Sequence, residues 1–127
     1  PALAITDTDN LHGAFEFYLL CKKKGIKPII GVEVFICEQG QKYDARDAKV
    51  YSLILLAKNF NGYKNLIQLT TKAYLDGNVG SKAQIDFPLL EKYTTDTIAL
   101  SGDLTSELAQ HVVSGKDNTF ILERIAY

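Results

Sequence analysis

The sequence predicts an α/β fold with a largely parallel sheet, and three observations support this class. Apolar runs of strand length alternate with segments whose apolar residues recur at helical spacing. Residues 50–57, VYSLILLA, are almost continuously apolar, which is typical of a strand covered on both faces, as in parallel sheets. Glycine follows three of the helical patterns, at Gly25, Gly77 and Gly115, where it can end a helix.

The first third of the chain predicts a strand, a helix and a second strand. Residues 2–6 have the length of a buried strand, and Asp9 or Asn10 can cap the helix that follows. A stripe of apolar residues predicts the helix face that packs on the two strands. The stripe contains Leu11, Ala14, Phe15, Tyr18 and Leu19. The second strand covers residues 27–37, with Pro28 near its start, where a missing N–H is tolerated.

The rest of the chain continues the alternation. The predicted elements are a polar loop at 39–49, a strand at 50–57, a helix at 62–75, a loop at 78–84, a short helix capped by Asp86 that runs to Tyr93, a strand at 97–100, a helix at 105–114 and a last helix from Asn118. One face of the helix at 62–75 carries a set of residues expected to pack on the sheet. These are Tyr63, Leu66, Ile67, Thr70, Ala73 and Tyr74.

Composition and charge are those of an ordinary globular protein. The 127 residues, of which 46% are hydrophobic and 23% charged, suit one modest domain. A formal net charge of −1 argues against a global attraction for nucleic acid. Cys21 and Cys37 lack metal-type spacing, so we expect buried free thiols and a cytoplasmic location. No apolar run is long enough to cross a membrane. The start at Pro1 and the apolar end at 125–127 predict a piece of a longer protein.

Polar residues stand near the ends of four predicted strands, where α/β folds place ligands and catalysis. They are the Asp7–Thr8 turn, Glu33, Ser52 and Asp103. Each position has a plain structural alternative, because turns, solvated strand faces and helix N-caps use the same residue types. The residue types alone leave both interpretations open.

Five stretches, taken in order, resemble the polymerase-and-histidinol-phosphatase (PHP) domain of bacterial replicative DNA polymerase III alpha subunits. They are PALAITDTDNLHGAFEFY, GIKPIIGVEVF, YSLILLAKNFNGYKNLIQL, KAYLDG and the IALSG turn. The resemblance covers almost the whole chain. It implies that residues 1–127 are a fragment of a single PHP domain, and that the fold is part of a distorted βα barrel with a mostly parallel sheet.

The resemblance also assigns roles to the polar strand-end residues. Active members of the family hold zinc or manganese ions there and hydrolyse phosphoesters. Asp7 and Thr8 match an Asp-His pair, Glu33 a glutamate ligand, Ser52 a histidine and Asp103 a cysteine. Three of the four ligand positions therefore lack the family's imidazole or thiolate. Because hydroxyl groups are poor ligands for these metals, the resemblance implies a vestigial site with no catalytic residue and no cofactor.

Two functions follow from the resemblance. The first is a non-catalytic structural and docking module of the polymerase subunit. Its partners would be the remainder of that subunit, the separate proofreading exonuclease and, through the parent protein, DNA. The parent resembles a magnesium-dependent, DNA-directed DNA polymerase, a nucleotidyltransferase, and we expect no activity of this piece alone.

The second function is a metal-dependent 3′–5′ exonuclease or phosphoesterase with altered ligands. A third hypothesis, independent of the resemblance, is a generic α/β ligand-binding domain. The residues at Thr8, Ser52 and Asp103 favour the structural module over the enzyme. Hydrogen bonds among these three side chains could hold a vacated metal site together, provided that its buried polar groups are satisfied.

Overall fold

Strands and helices alternate through residues 1–38, 49–79 and 82–126, which are the residues that the computed structural model describes. The strands are β1 (Ala2–Thr8), β2 (Lys27–Cys37), β3 (Val50–Ala57), β4 (Asn78–Val79), β5 (Lys82–Ile85) and β6 (Thr97–Leu100). The helices are α1 (Ala14–Lys23), α2 (Phe60–Asp76), α3 (Phe87–Tyr93), α4 (Glu107–Val113) and α5 (Asn118–Ala126). The α/β class is confirmed.

The central strand of the sheet is β2, which has neighbours along both edges. Along one edge lies β3, antiparallel to β2. Along the other edge, β1 runs parallel to β2 as far as Thr8, opposite Glu33. On that same edge β5 pairs parallel with β2 further on, with Gln84 opposite Phe35. The end of β1 and the start of β5 therefore meet beside Glu33. Outside these pairs, β6 lies antiparallel to β3, and β4 antiparallel to β5.

The predicted largely parallel sheet is wrong, because β3 runs antiparallel to both of its neighbours. The N–H of Glu38, just after β2, donates to the carbonyl of Lys49, just before β3, at 2.8 Å. Strands joined at adjacent ends in this way run antiparallel and need no crossover helix. The apolar character of β3 thus reflects its coverage rather than its direction. The barrel stays a prediction, since pairing among the described strands does not close on itself.

The core lies between the sheet and α2. Its buried residues are Val32, Val34, Ile36, Tyr51, Leu55, Leu66, Leu69, Ala73, Ala83 and Ile85. Alternate residues of β2 supply three of them, as expected for a strand with one face toward a helix. Each fully buried leucine or isoleucine contributes about 1.5–3 kcal/mol by its removal from water. The predicted face of α2 is confirmed at Leu66, Thr70 and Ala73, but Ile67 and Tyr74 are exposed and Leu69 is buried instead.

The predicted packing of the α1 stripe is confirmed at Leu11 and Ala14 but is wrong at Phe15, Tyr18 and Leu19. The buried residues of the helix are Ala14 and Cys21, whereas Phe15 is 71% exposed, Tyr18 43% and Leu19 50%. The helix contacts mainly β1 and β2, and among the described strands β1 pairs with β2 alone. Because no described strand lies beyond β1, the sheet lies beneath only part of the apolar stripe of α1. The same edge position explains why β1 and β6, predicted as buried strands, are mostly exposed.

Asp7 supports the start of α1, where the sequence had predicted a cap by Asp9 or Asn10. The Asp7 carboxylate accepts the N–H of Gly13, the N-cap residue, at 3.0 Å. Asn10 accepts the N–H of His12 at 2.9 Å, one turn too early to cap the helix. Asp9 lies in the left-handed region, with φ 61°. The predicted caps are therefore wrong, because the chain turns between β1 and α1 before the helix begins.

Most other sequence predictions are confirmed. β2, β3 and β6 have the predicted bounds, and Asp86 caps α3 by accepting the N–H of Leu89 at 3.0 Å. Cys21 and Cys37 are both buried, as predicted. The predicted loop at 78–84 is wrong, since β4 and most of β5 lie there. The loop at 39–49 falls almost wholly outside the described residues. Within the described ranges, no helix has the length and apolarity to cross a membrane.

Candidate functional site

One polar cluster lies where β1 ends beside β2. The hydroxyl of Thr8 donates to Oε2 of Glu33 at 2.7 Å, and the two residues are opposite each other in the strand register. The N–H of the next residue, Asp9, donates to the main-chain carbonyl of Glu33 at 2.8 Å. Glu33 lies within β2 rather than at its end, opposite the end of β1, and is held by the hydroxyl that stands, by resemblance, in place of a histidine.

Asp7 does not belong to this cluster. Side chains alternate along a strand, so Asp7 and Thr8 lie on opposite faces of the sheet. Asp7 is opposite Val32, a core residue, and its carboxylate holds Gly13. The structure thus separates two residues that the resemblance placed in one metal site.

A second polar cluster joins Ser52 to Asp103 through Thr105. The Ser52 and Thr105 hydroxyl oxygens are 2.8 Å apart. The Thr105 hydroxyl donates to Oδ1 of Asp103 at 2.7 Å, and the Thr105 N–H donates to the same oxygen at 2.7 Å. Because a hydroxyl has one hydrogen, Ser52 is the donor toward Thr105. Ser52 is almost fully buried, so this bond satisfies a hydroxyl that water does not reach.

The sequence predicted Thr105 as the first residue of a helix and gave it no part in a site. The helix α4 begins at Glu107, with Ser106 as its N-cap. An aspartate two residues before a threonine was the available signal, since aspartate side chains commonly accept the backbone N–H two residues on. The structure therefore places the predicted residues in two clusters, Thr8 with Glu33 and Ser52 with Asp103, instead of one network.

The surroundings shift the pKa values of Asp9 and Asp103 in opposite directions. Burial raises the pKa of Asp9, and the charge of Glu33 adds to that, while a hydrogen bond from the Ala83 backbone and the charge of Lys82 oppose it. The hydroxyl and the N–H of Thr105 lower the pKa of the exposed Asp103 carboxyl.

These residues do not fit the metal cluster that the family implies. In the part of the chain that the structure describes, no three His, Cys, Asp or Glu side chains are grouped closely enough to hold a metal ion. One oxygen of Glu33 and one of Asp103 already accept threonine hydroxyls. The histidines do not supplement them: His12 is exposed, and the ring of His111 packs edge-on against Phe120, with centroids 4.9 Å apart. Transition-metal sites need imidazole, thiolate or several converging carboxylates.

The sequence model of the PHP domain family matches residues 1–126. The chain belongs to the PHP domain family. It is 40% identical over 121 residues to the DNA polymerase III subunit alpha of Thermus aquaticus, covering 91% of this chain and 10% of that protein. Over 113 residues it is 44% identical to that of Chlamydia pneumoniae, covering 86% of this chain and 9% of the relative. Over 102 residues it is 46% identical to that of Borreliella burgdorferi, covering 78% and 9%.

The family resemblance drawn from the five sequence stretches is thereby confirmed. The chain spans about a tenth of the length of the curated relatives it matches. It corresponds to the PHP region of those alpha subunits.

Proposed function

We propose that this chain is a non-catalytic structural and docking PHP module of a bacterial DNA polymerase III alpha subunit. Residues 1–127 would form part of a single PHP domain in a cytoplasmic subunit that synthesises DNA on a template with magnesium. The observation that carries the proposal is a pair of hydrogen bonds from threonine hydroxyls to the carboxylates. Thr8 donates to Glu33, and Thr105 donates to Asp103. Two or more converging metals are needed to activate water and to clamp a phosphate, and these residues lack the ligands.

A groove between α1 and α2 supports the docking part of the proposal. It has a volume of about 450 Å³ and is lined by apolar and aromatic side chains, among them Phe15, Tyr18, Phe60 and Tyr63, above Ile30 of β2. Exposed apolar surfaces of this kind mark interaction sites. Because the relatives are about ten times longer than this chain, the remainder of the alpha subunit is the partner proposed for this groove. The proofreading exonuclease is a further partner in this proposal, and DNA would be bound by the parent protein.

The decisive experiment measures metal-dependent hydrolysis of single-stranded DNA by the purified parent subunit, freed of the separate exonuclease. We expect no hydrolysis that depends on Glu33 when zinc or manganese is supplied, and unchanged nucleotide incorporation. The variant is Glu33→Gln, which keeps the side-chain shape and an acceptor for Thr8. Glu16→Gln, on the exposed side of α1, is the matched control.

The opposite result would favour the exonuclease or phosphoesterase. That result is robust hydrolysis that Glu33→Gln abolishes and Glu16→Gln preserves, with both variants folded by circular dichroism.

A further inference from the structure

A group of lysines lies at the end of the sheet where β2 begins and β3 ends. The helix α1 ends at Lys23, shortly before β2, and α2 begins shortly after β3. In the antiparallel register Gly31 is opposite Leu56, so Lys58 comes close to the start of β2. Pro28 and Lys58 accordingly line the same groove. We call this group the lysine end, and its members are Lys22, Lys23, Lys24, Lys27, Lys58 and Lys64.

The lysine end is exposed and carries little compensating charge. All six lysines are exposed, and none has a carboxylate within 4 Å among the described residues. Asp96 approaches this end through its backbone, since its carbonyl accepts the N–H of Lys58 at 2.9 Å. Like charges that are gathered without ion-pair partners repel one another and produce a positive local potential. This end of the sheet is therefore suited to bind an anion.

Helix stability explains only part of this arrangement. Lys22 and Lys23 lie in the last turn of α1, where the partial negative charge of the helix end attracts cations. Lys58 directly precedes Asn59, the N-cap of α2, where the partial positive charge of the helix end repels them. Lys27 belongs to a strand. Positive charge thus also stands at positions where it does not stabilise a helix, which favours a role in binding.

The spread of the ammonium groups favours an extended polyanion over a single carboxylate. Successive residues of a helix point about 100° apart, so the side chains of Lys22 and Lys23 diverge instead of converging on one oxygen. Duplex DNA carries one negative charge per about 1.7 Å of its axis. A lysine ammonium binds phosphate as a point charge, without the planar geometry that arginine requires. The net charge of −1 does not oppose such local binding, because salt screens exposed charges beyond about 8–10 Å.

We propose that the lysine end binds the phosphate backbone of DNA, independently of base sequence, when the chain is part of the parent subunit. The inference rests on the proposed function, in which the parent holds DNA, as the names of the DNA polymerase III relatives suggest. Contacts with phosphates position a protein on DNA and carry no sequence information directly. Lys27 and Glu33 are six residues apart on β2, about 20 Å, so the Thr8–Glu33 cluster takes no part in this contact.

The salt dependence of DNA binding by the purified parent subunit tests the proposal. The probe is a fluorescent primer–template, followed by anisotropy between about 50 and 200 mM KCl. The triple variant Lys22→Gln, Lys23→Gln, Lys24→Gln should reduce the slope of log K against log salt by about 1–3, because each lost phosphate contact removes about 0.9. Binding should weaken equally for two unrelated DNA sequences. Arginine at the same three positions should preserve the slope, because it keeps the charge.

The matched control removes the same charge from other parts of the surface. It is the triple variant Lys72→Gln, Lys82→Gln, Lys116→Gln, whose three positions are exposed and lie outside the lysine end. It should leave the salt slope of the parent unchanged.

Lysine acetylation, measured by mass spectrometry of the resulting peptides, gives a second readout that needs no variant. In the parent subunit the primer–template should slow acetylation at Lys22, Lys23, Lys24 and Lys27. It should leave the rate at Lys72 unchanged.

Three results would overturn the inference. The first is a triple glutamine variant with the salt slope of the wild type, and the second is acetylation of the lysine end at equal rates with and without DNA. The third is acetylation that is slow in the parent even without DNA but fast in the 127-residue chain, which would assign this surface to an acidic segment of the parent. All three leave the proposed function standing, because that function is decided by Glu33-dependent hydrolysis of DNA.

Discussion

The two long helices of this chain, α1 and α2, have similar sequence patterns and different surroundings. Each carries an apolar stripe at helical spacing. α2 lies over the middle of the sheet and buries Leu66 and Leu69 completely, whereas α1 lies over its edge and leaves Phe15 largely exposed. An apolar stripe therefore predicts which face of a helix is suited to burial, while the neighbouring elements decide whether that face is covered.

The comparison extends to the groove that the two helices share. Phe60 and Tyr63 at the start of α2 line it together with Phe15 and Tyr18 of α1. α2 thus has one face that is buried in the core and a second apolar edge that remains exposed, as Ile67 and Tyr74 also show. If the groove is an interface with the parent subunit, the apolar side chains of α1 should be exposed in this chain and buried in the parent, as those of the α2 core face already are.

The largest effect is expected within the buried face of α2. Leu66→Ala should reduce the free energy of unfolding by about 2–5 kcal/mol, because it removes transfer energy and leaves a cavity. Leu75→Ala, near the end of the same helix at 72% exposed, should change it by no more than about 0.5 kcal/mol. Urea unfolding followed by circular dichroism measures both. Equal effects would contradict the assignment of the core to this face.

Phe15 is the position that tests whether α1 is covered in the parent. In the 127-residue chain, Phe15→Ala should change the free energy of unfolding by about 0.5 kcal/mol or less, as for other exposed positions. In the parent subunit the loss should approach about 3–5 kcal/mol if the ring is fully buried there. Thiol labelling of Phe15→Cys gives an independent measure, and we expect it to be fast in the chain and slow in the parent. Equal labelling rates would exclude the groove as an interface.

The polar cluster at Ser52 should contribute less than the core. Ser52→Ala removes the donor to Thr105 and should cost about 0.5–1.5 kcal/mol of unfolding free energy, the net value of one hydrogen bond. Ser101→Ala, an exposed serine after β6, is the control and should be nearly neutral. A Ser52→Ala chain that is as stable as the wild type would mean that the hydroxyl relay to Asp103 does not support the fold.

The smallest effect concerns the exposed carboxyl of Asp103 and depends on pH. Thr105 lowers its pKa below the ordinary value of 3.8, so its charged form is favoured in the folded state. The resulting stability is present above pH 3.8 and is lost as the pH falls through the lowered pKa. Asp103→Asn should therefore lower the melting temperature slightly at pH 7, with a difference from the wild type that shrinks in strong acid. In a Thr105→Val background the difference at pH 7 should be smaller, and an unchanged difference would remove Thr105 as the cause.

Local signals in the sequence were enough to predict most elements. The apolar runs of β2 and β3 have clear bounds, and the Asp86 cap acts on an N–H three residues away. The family and the positions of Glu33 and Ser52 within it could also be found from the sequence, because five stretches resemble the family in the same order along the chain. These features depend on residues that are near one another along the chain.

By itself, then, the sequence determined the α/β class and the family. Only the tertiary structure decided that β3 runs antiparallel, that Asp7 turns away from Thr8 to hold α1, and that Thr105 links Ser52 to Asp103. Strand direction, side-chain partners and coverage depend on contacts between segments that are distant along the chain. The residue pattern within one segment does not specify those contacts.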